Sequence, residues 1–312
     1  MPNVIFFASF ACSLYYRNRL LYWGCRESNV CRSGKLFLPD LKRGDFMKTA
    51  PKESNSLPIG RSAFPFEKNP PFGRRAGTRR NIKDIWNAFM ASGADFSASD
   101  FDIPLCNTTA DCIPSNLLTF SEAKKVYKME ISKNKDFKSN SFVCFYEDDQ
   151  YFDGPLNGIW SRPKDAYNIL KHFKGIITPD FSTYQDFPSA LKIYNTYRMR
   201  AFGHWFGTIC GKKAINNVRW GTEETFPYCF DGIPRDSIVA IGTVGGSPRK
   251  LIDRDRFEKG LAVMVKRLRP KTILVYGSAK YPCFIRLKDM GIQILEYQSR
   301  TASYFENRSQ KQ

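Results

Sequence analysis

From residue 141 onward, short apolar runs rich in Val, Ile and aromatic residues alternate with stretches of helical spacing. This alternation limits the possible folds more than any other feature of the chain. The runs are "SFVCFYE", "GIITPD", "AINNVRW", "SIVAIGTVG", "TILVYG" and "IQILEY". Between them lie "PKDAYNILKHF", a helical pattern over 188–210, "DRDRFEKGLAVMVKRL" and a short helix at 281–290. A strand followed by a helix returns to a parallel neighbour through a right-handed crossover. The expected fold class is therefore α/β, a parallel sheet of alternating βα units with about six visible strands. Periodicity leaves two architectures open, an open doubly wound sheet and an incomplete TIM-like barrel. An irregular N-terminal region precedes either one.

That region reads in pieces. In 81–140, "NIKDIWNAFMASG" has apolar residues at 82, 85, 86, 89 and 90, a helical spacing closed by Gly93, and "LTFSEAKKVYK" suggests a second short helix. Residues 47–80, including "SAFPFEKNPPFGRRAGTRR", are rich in Pro, Gly, Ser and basic residues and read as a flexible basic arm. Arg74, Arg75, Arg79 and Arg80 in that arm suit contact with nucleic-acid phosphates, and equally a solvated linker. Residues 1–46 show no sustained period; their "NVIFFASFACSLYY" lacks the basic start and small-residue cleavage site of a signal peptide. The "KRGDF" before Met47 can be encoded by a purine-rich ribosome-binding sequence, so translation is expected to begin at Met47. On that reading 1–46 is an upstream extension; the alternative is an irregular or disordered arm. One α/β domain is expected over 81–298, with a disordered tail at 299–312.

Charge and cysteine usage bound the partners. There are 48 Lys+Arg against 30 Asp+Glu, a net charge of +18, which favours polyanions such as nucleic acid. The 9 cysteines form no Cys-x-x-Cys pair and only 2 histidines are present, so a Cys/His zinc site has no support. Cysteines on apolar stretches, such as Cys144 in "SFVCFY", suit a reduced, cytoplasmic protein. No apolar run is long enough to span a membrane.

Ligands of parallel α/β folds bind where loops and helix N-termini converge at the strands' carboxyl ends. Here those ends are polar: Glu147-Asp148-Asp149, then 178–182, 216–220, 243–247 and 276–278 in turn. A shared cleft is expected, with Ser182, Tyr184, Asn195, Asn217, Arg219, Trp220, Thr243, Gly245, Gly246 and Tyr276 as substrate-binding candidates. Gly245-Gly246, followed by Ser247, Arg249 and Lys250, suits a phosphate-binding nest. It matches neither the Walker A nor the dinucleotide glycine pattern. Asp148, Asp149, Asp180 and Asp231 offer oxygen ligands for Mg²⁺, although aspartates are common in turns and no diagnostic spacing is present. No G-x-S-x-G elbow occurs, and His172 and His204 fall in helical positions read as exposed.

The helix over 188–210 contains an anomaly. On a helical wheel Leu191, Tyr194, Phe202, Trp205 and Ile209 form one stripe, Arg198 lies in its centre, and Arg200 points to the opposite side. A buried guanidinium needs a carboxylate or an anionic ligand, so Arg198 is expected to meet Asp180 or Asp231. Arg200 is expected to be exposed and to tolerate alanine. Asp180, Asp231 and Arg198 are the catalytic candidates.

The series "TPDFSTYQDFP", "NTYRMRAFG", "NVRWG", "CFDGIPRDSIVAIGTVG", "FEKGL" and "LRPKTILVYG" resembles an uncharacterised domain-of-unknown-function family of bacteria, bacteriophages and mobile elements, over about residues 100–297. The resemblance implies no established activity. Its motif positions overlap the strand-end set above and add Tyr197, Arg198, Arg200, Asp231, Gly232 and Gly277. Two functions follow as expectations: an enzyme acting on nucleic acid or nucleotides through an Asp/Arg cleft, or a non-catalytic DNA- or RNA-binding accessory protein. A small-molecule or carbohydrate enzyme on a barrel is a weaker third.

Overall fold

The computed structural model describes residues 84–244, 251–300 and 302. Seven strands, β1 (Leu117–Thr119), β2 (Ser139–Cys144), β3 (Phe173–Ile177), β4 (Lys213–Asn217), β5 (Ile238–Gly242), β6 (Thr272–Tyr276) and β7 (Gln293–Tyr297), pair in parallel in chain order. Helices α1 (Phe120–Ile131), α2 (Pro163–Leu170), α3 (Ser189–His204), α4 (Phe226–Cys229), α5 (Leu251–Leu268) and α6 (Pro282–Asp289) fill the six crossovers. Strictly sequential order has no point at which the winding reverses. The doubly wound alternative is thereby overturned, and the sheet is a curled half-barrel.

The two faces of each strand show why. Alternate residues of β2 and its extension part company: Val143 and Phe145 pack outward with Phe120, Ala123, Phe202 and Trp205 of the helical layer. Phe142, Cys144 and Tyr146 turn inward to meet Leu117, Ile177, Ile215, Ala240, Leu274 and Tyr276 from the other strands. Helices cover only the outer face, so the inner face must curl onto itself to leave water. Small residues make room for that curl. A Cβ at Gly242 would stand 2.8 Å from the Tyr146 ring, and Gly175 lies directly against Phe142. Tyr297, ending β7, donates its hydroxyl hydrogen to Pro114 O just ahead of β1 at 2.6 Å, which draws the two sheet edges toward each other.

The segment from 84 to 116 is a strap across α3 and the start of β4. Phe89 packs edge-on against Trp205 at 6.1 Å, Cys106 N donates to Gly232 O, and Thr109 N donates to Ala214 O. The helix expected around 82–93 is only a 3-10 turn, Ala88–Ala91, entered through Asn87 in a left-handed conformation (φ 57°). Residues 81–83 lie outside the described residues, as do the arm with Arg74, Arg75, Arg79 and Arg80, the extension 1–46, and the candidate nest at Gly245 and Gly246. Of the expected tail, Ser299 is buried and Arg300 N donates to the Tyr276 hydroxyl at 3.0 Å.

Candidate functional site

A cleft of about 170 Å³ opens at the carboxyl ends of β3, β4 and β5, lined by Asp180, Lys192, Asn217, Arg219, Trp220 and Arg256 among others. Its floor is a hydrogen-bonded chain that begins inside the half-barrel. Tyr146, stacked on Tyr276 with ring centroids 5.1 Å apart, donates to Asn217 Oδ1 at 2.9 Å. Asn217 Nδ2 donates to Asp180 Oδ1 at 2.8 Å, and Arg219 NH1 donates to Asp180 Oδ2 at 2.6 Å. The ends of β3 and β4 are locked together beneath this chain, because Asn217 N donates to Thr178 Oγ1 at 2.8 Å.

The electrostatics follow from burial. Desolvation lifts the Asp180 carboxyl above its ordinary range, against the opposing pull of Arg219 and Asn217. Burial, aided by the Asp180 charge, holds the Tyr146 phenol well above its ordinary value, so it stays protonated and acts as a donor. That donor fixes Asn217 with its oxygen toward Tyr146 and its amide hydrogens toward Asp180. Among the described residues, one nitrogen of the Arg219 guanidinium is engaged by Asp180 and the side chain is 28% exposed, leaving donors for a ligand. Lys192 Nζ, almost fully buried on the cleft wall, donates to Glu224 Oε1 at 2.6 Å and Gln185 O at 2.9 Å. Arg256 NH1 donates to Gln185 Oε1 at 3.0 Å across the same wall. The arrangement joins a carboxylate of raised proton affinity to a wall of mixed charge, in which Lys192 is paired with Glu224, Asp253 also lines the cleft, and Arg219 and Arg256 are the guanidiniums that reach it.

The expected site residues divide. Asp180, Asn217, Arg219 and Trp220 line the cleft, and Tyr276 supports it through Tyr146. Thr243 is buried at the end of β5, where its hydroxyl donates to Ser278 O at 3.1 Å. Ser182 and Asn195 do not line the cleft: Ser182 Oγ donates to Asp149 Oδ1 at 2.8 Å, and Asn195 Nδ2 donates to Ser182 O. Tyr184 is exposed and packs on Phe187.

The expected partners of Arg198 are corrected. Arg198 NH1 donates to both carboxylate oxygens of Asp153, at 2.9 and 2.7 Å, and NH2 donates to Asn195 Oδ1. Its guanidinium lies 3.9 Å from the Phe181 ring centre. Asp231 does not join Asp180: its carboxylate accepts from Ser99 Oγ at 2.5 Å in the strap, and it does not line the cleft. The four-aspartate Mg²⁺ site fails with it, since among the described residues no three His, Cys, Asp or Glu side chains gather closely enough to hold a metal.

The placement of Arg200 is also corrected. It is 0% exposed and donates to three main-chain carbonyls, Asp231 O, Asn217 O and Cys229 O, at 3.0, 3.0 and 3.1 Å. His204 and His172 are buried as well; His204 Nε2 lies 3.1 Å from Ser92 O of the strap. The expected apolar stripe is corrected with it: Phe202 and Trp205 are buried, but Leu191, Tyr194 and Ile209 are exposed, and the side carrying Arg200 is instead enclosed by the end of β4 and the connection that follows it.

Residues 96–298 match the model of a family described as a domain of unknown function (DUF4417). The chain is similar to the Gene 1 protein of Mycobacterium phage L5, 30% identical over 187 residues that cover 59% of this chain and 75% of the relative. It is similar also to the Gene 1 protein of Mycobacterium phage D29, 29% identical over 59% of this chain and 63% of the relative, so it spans less than two thirds of that protein. No solved structure matches. Among the described residues, no helix is long and apolar enough to cross a membrane.

Proposed function

The chain belongs to this family of unknown function, and from its cleft we propose an enzyme acting on a phosphate-bearing substrate of the nucleotide or nucleic-acid class. One observation carries the reading: Asp180, a largely enclosed carboxylate, sits on the floor of a cleft whose lining also holds Arg219, Arg256, Asp253 and Lys192, the last paired with Glu224. A guanidinium with free donors suits phosphate oxygens. A carboxyl of raised proton affinity suits proton exchange with a bound hydroxyl or water. Trp220 on the same wall offers an aromatic surface for a base. In this reading Arg219 both holds the substrate and keeps Asp180 in place, and Tyr146 acts through Asn217 as a positioning residue.

The test is a turnover screen of the purified chain on labelled DNA, labelled RNA and free nucleotides, with and without Mg²⁺ or Mn²⁺. The reading expects conversion of at least one phosphate-bearing substrate. Tight binding without conversion of any of them would instead support the non-catalytic accessory protein, which the net charge of +18 also suits.

A further inference from the structure

A sequential parallel sheet places all its strand starts at one end, opposite the cleft, and in this chain that end is basic. We infer that this rim is a second binding surface, for the phosphodiester backbone of nucleic acid, separate from the cleft. Lys138 precedes β2 and Lys174 lies at the start of β3; the register pairs Ser139 with Phe173 between them. Lys138 Nζ donates to Lys171 O at 3.4 Å, which holds these two strand starts together. Farther round, Lys271 precedes β6, and its carbonyl accepts from Gln293 N at the start of β7 at 3.1 Å. Lys138, Lys174, Lys271 and Arg235, which precedes β5, are all exposed.

Asp136 and Asp289 are exposed carboxylates at this end and offset part of its charge, while the other carboxylates here pair with cations other than those four. Glu130 pairs with Lys133 at 3.0 Å, Asp236 with Arg269 at 2.8 Å, and Asp111 with Lys213. Among the described residues, Lys138, Lys174 and Lys271 have no carboxylate partner. Part of the basic character has a local cause, since Lys128, Lys266, Arg267 and Lys288 lie in last helical turns and offset the negative end of the helix dipole. Lys138, Lys174 and Lys271 lie in no helix, and that cause does not reach them. Nucleic acid fits the rim better than a lipid surface. Among the described residues the helices meet this end by their C-termini and lay no amphipathic apolar face along it, so a lipid surface would be held by charge alone, without the buried apolar area that strengthens interfacial binding.

The test measures binding of mixed-sequence duplex DNA and of RNA to the full chain by fluorescence anisotropy, between about 50 and 200 mM salt. Two triple variants carry the same loss of charge: Lys138→Gln/Lys174→Gln/Lys271→Gln on the rim, and Lys125→Gln/Lys164→Gln/Lys280→Gln away from it. The rim variant should make the slope of log affinity against log salt shallower by roughly two to three, and the other should leave it unchanged. Arginine at the three rim positions should restore the slope. Thermal unfolding of all variants checks that the fold is retained. Absence of wild-type binding, equal slopes in the two glutamine variants, or loss confined to phosphatidylserine vesicles would overturn the inference.

Discussion

Replacing Arg200 by alanine should be among the most damaging single changes in the chain. The guanidinium is fully enclosed and supplies the donors for three main-chain carbonyls, those of Asn217, Cys229 and Asp231. Gly232, at φ 74°, lets the backbone approach the Arg200 side chain, and a Cβ there would lie 3.1 Å from Arg200 Cγ. Each stranded carbonyl costs about 1–3 kcal/mol, and the space left by the side chain adds to that. A loss of about 4–6 kcal/mol is expected, a large share of the roughly 5–15 kcal/mol that stabilises a typical domain. Equilibrium unfolding in urea measures it, with an unchanged m-value showing that the native state is otherwise intact. Arg200→Lys retains one or two of the three hydrogen bonds and should lose about 2–3 kcal/mol, which keeps the measurement accessible if the alanine variant does not accumulate. If Arg200→Ala stays within about 0.5 kcal/mol of wild type, as an exposed arginine would, the burial argument is refuted.

Two further predictions concern the aspartates. Arg198→Ala strands Asp153 and should cost about 3 kcal/mol, the lower end for a broken buried pair, because the Asp153 side chain keeps 16% exposure. Arg198→Met with Asp153→Asn should recover most of that in thermal unfolding; a double variant no better than the single would contradict the pairing. The raised proton affinity of Asp180 carries a definite sign, because its folded form holds a proton at pH values where the unfolded form has released it. Its contribution to stability is complete below the ordinary carboxylate pKa of 3.8 and is lost as pH rises through the higher folded value. The stability of Asp180→Asn relative to wild type should therefore improve as pH climbs above about 4. A relative stability that worsens over that window in denaturant titrations would reverse the assignment.

Six of the seven strands were legible in the sequence because β-branched, apolar runs of that length bounded by turn residues have few other uses. β1 was not, since its three residues, Leu117–Thr119, run straight into the capping box that opens α1 and read as helix. The polar strand ends gave the position of the cleft, with Asp180, Asn217, Arg219 and Trp220 in it. Tyr146 was missed, although its alternation with Phe142 and Cys144 marked it as inward-facing. Lys192, Arg256 and Asp153 carry no local signal, because their roles depend on which helices and loops meet across the chain. Arg198 and Arg200 show the limit most clearly. The wheel found that charge would be buried on α3, but both arginines are enclosed, and their partners (Asp153 for one, the carbonyls of Asn217, Cys229 and Asp231 for the other) lie on loops and strands that no helical period reveals.

If Asp180 exchanges a proton with a phosphate-bearing substrate that Arg219 holds, steady-state kinetics of Asp180→Asn beside Arg219→Gln on the substrate found by the turnover screen will separate the two roles. Loss of a general acid or base should lower kcat by about 10²–10⁴-fold in Asp180→Asn and leave KM within a few-fold of wild type. Arg219→Gln should raise KM, because a contact to bound phosphate is removed. An Asp180→Asn variant that turns over at the wild-type rate would contradict the account.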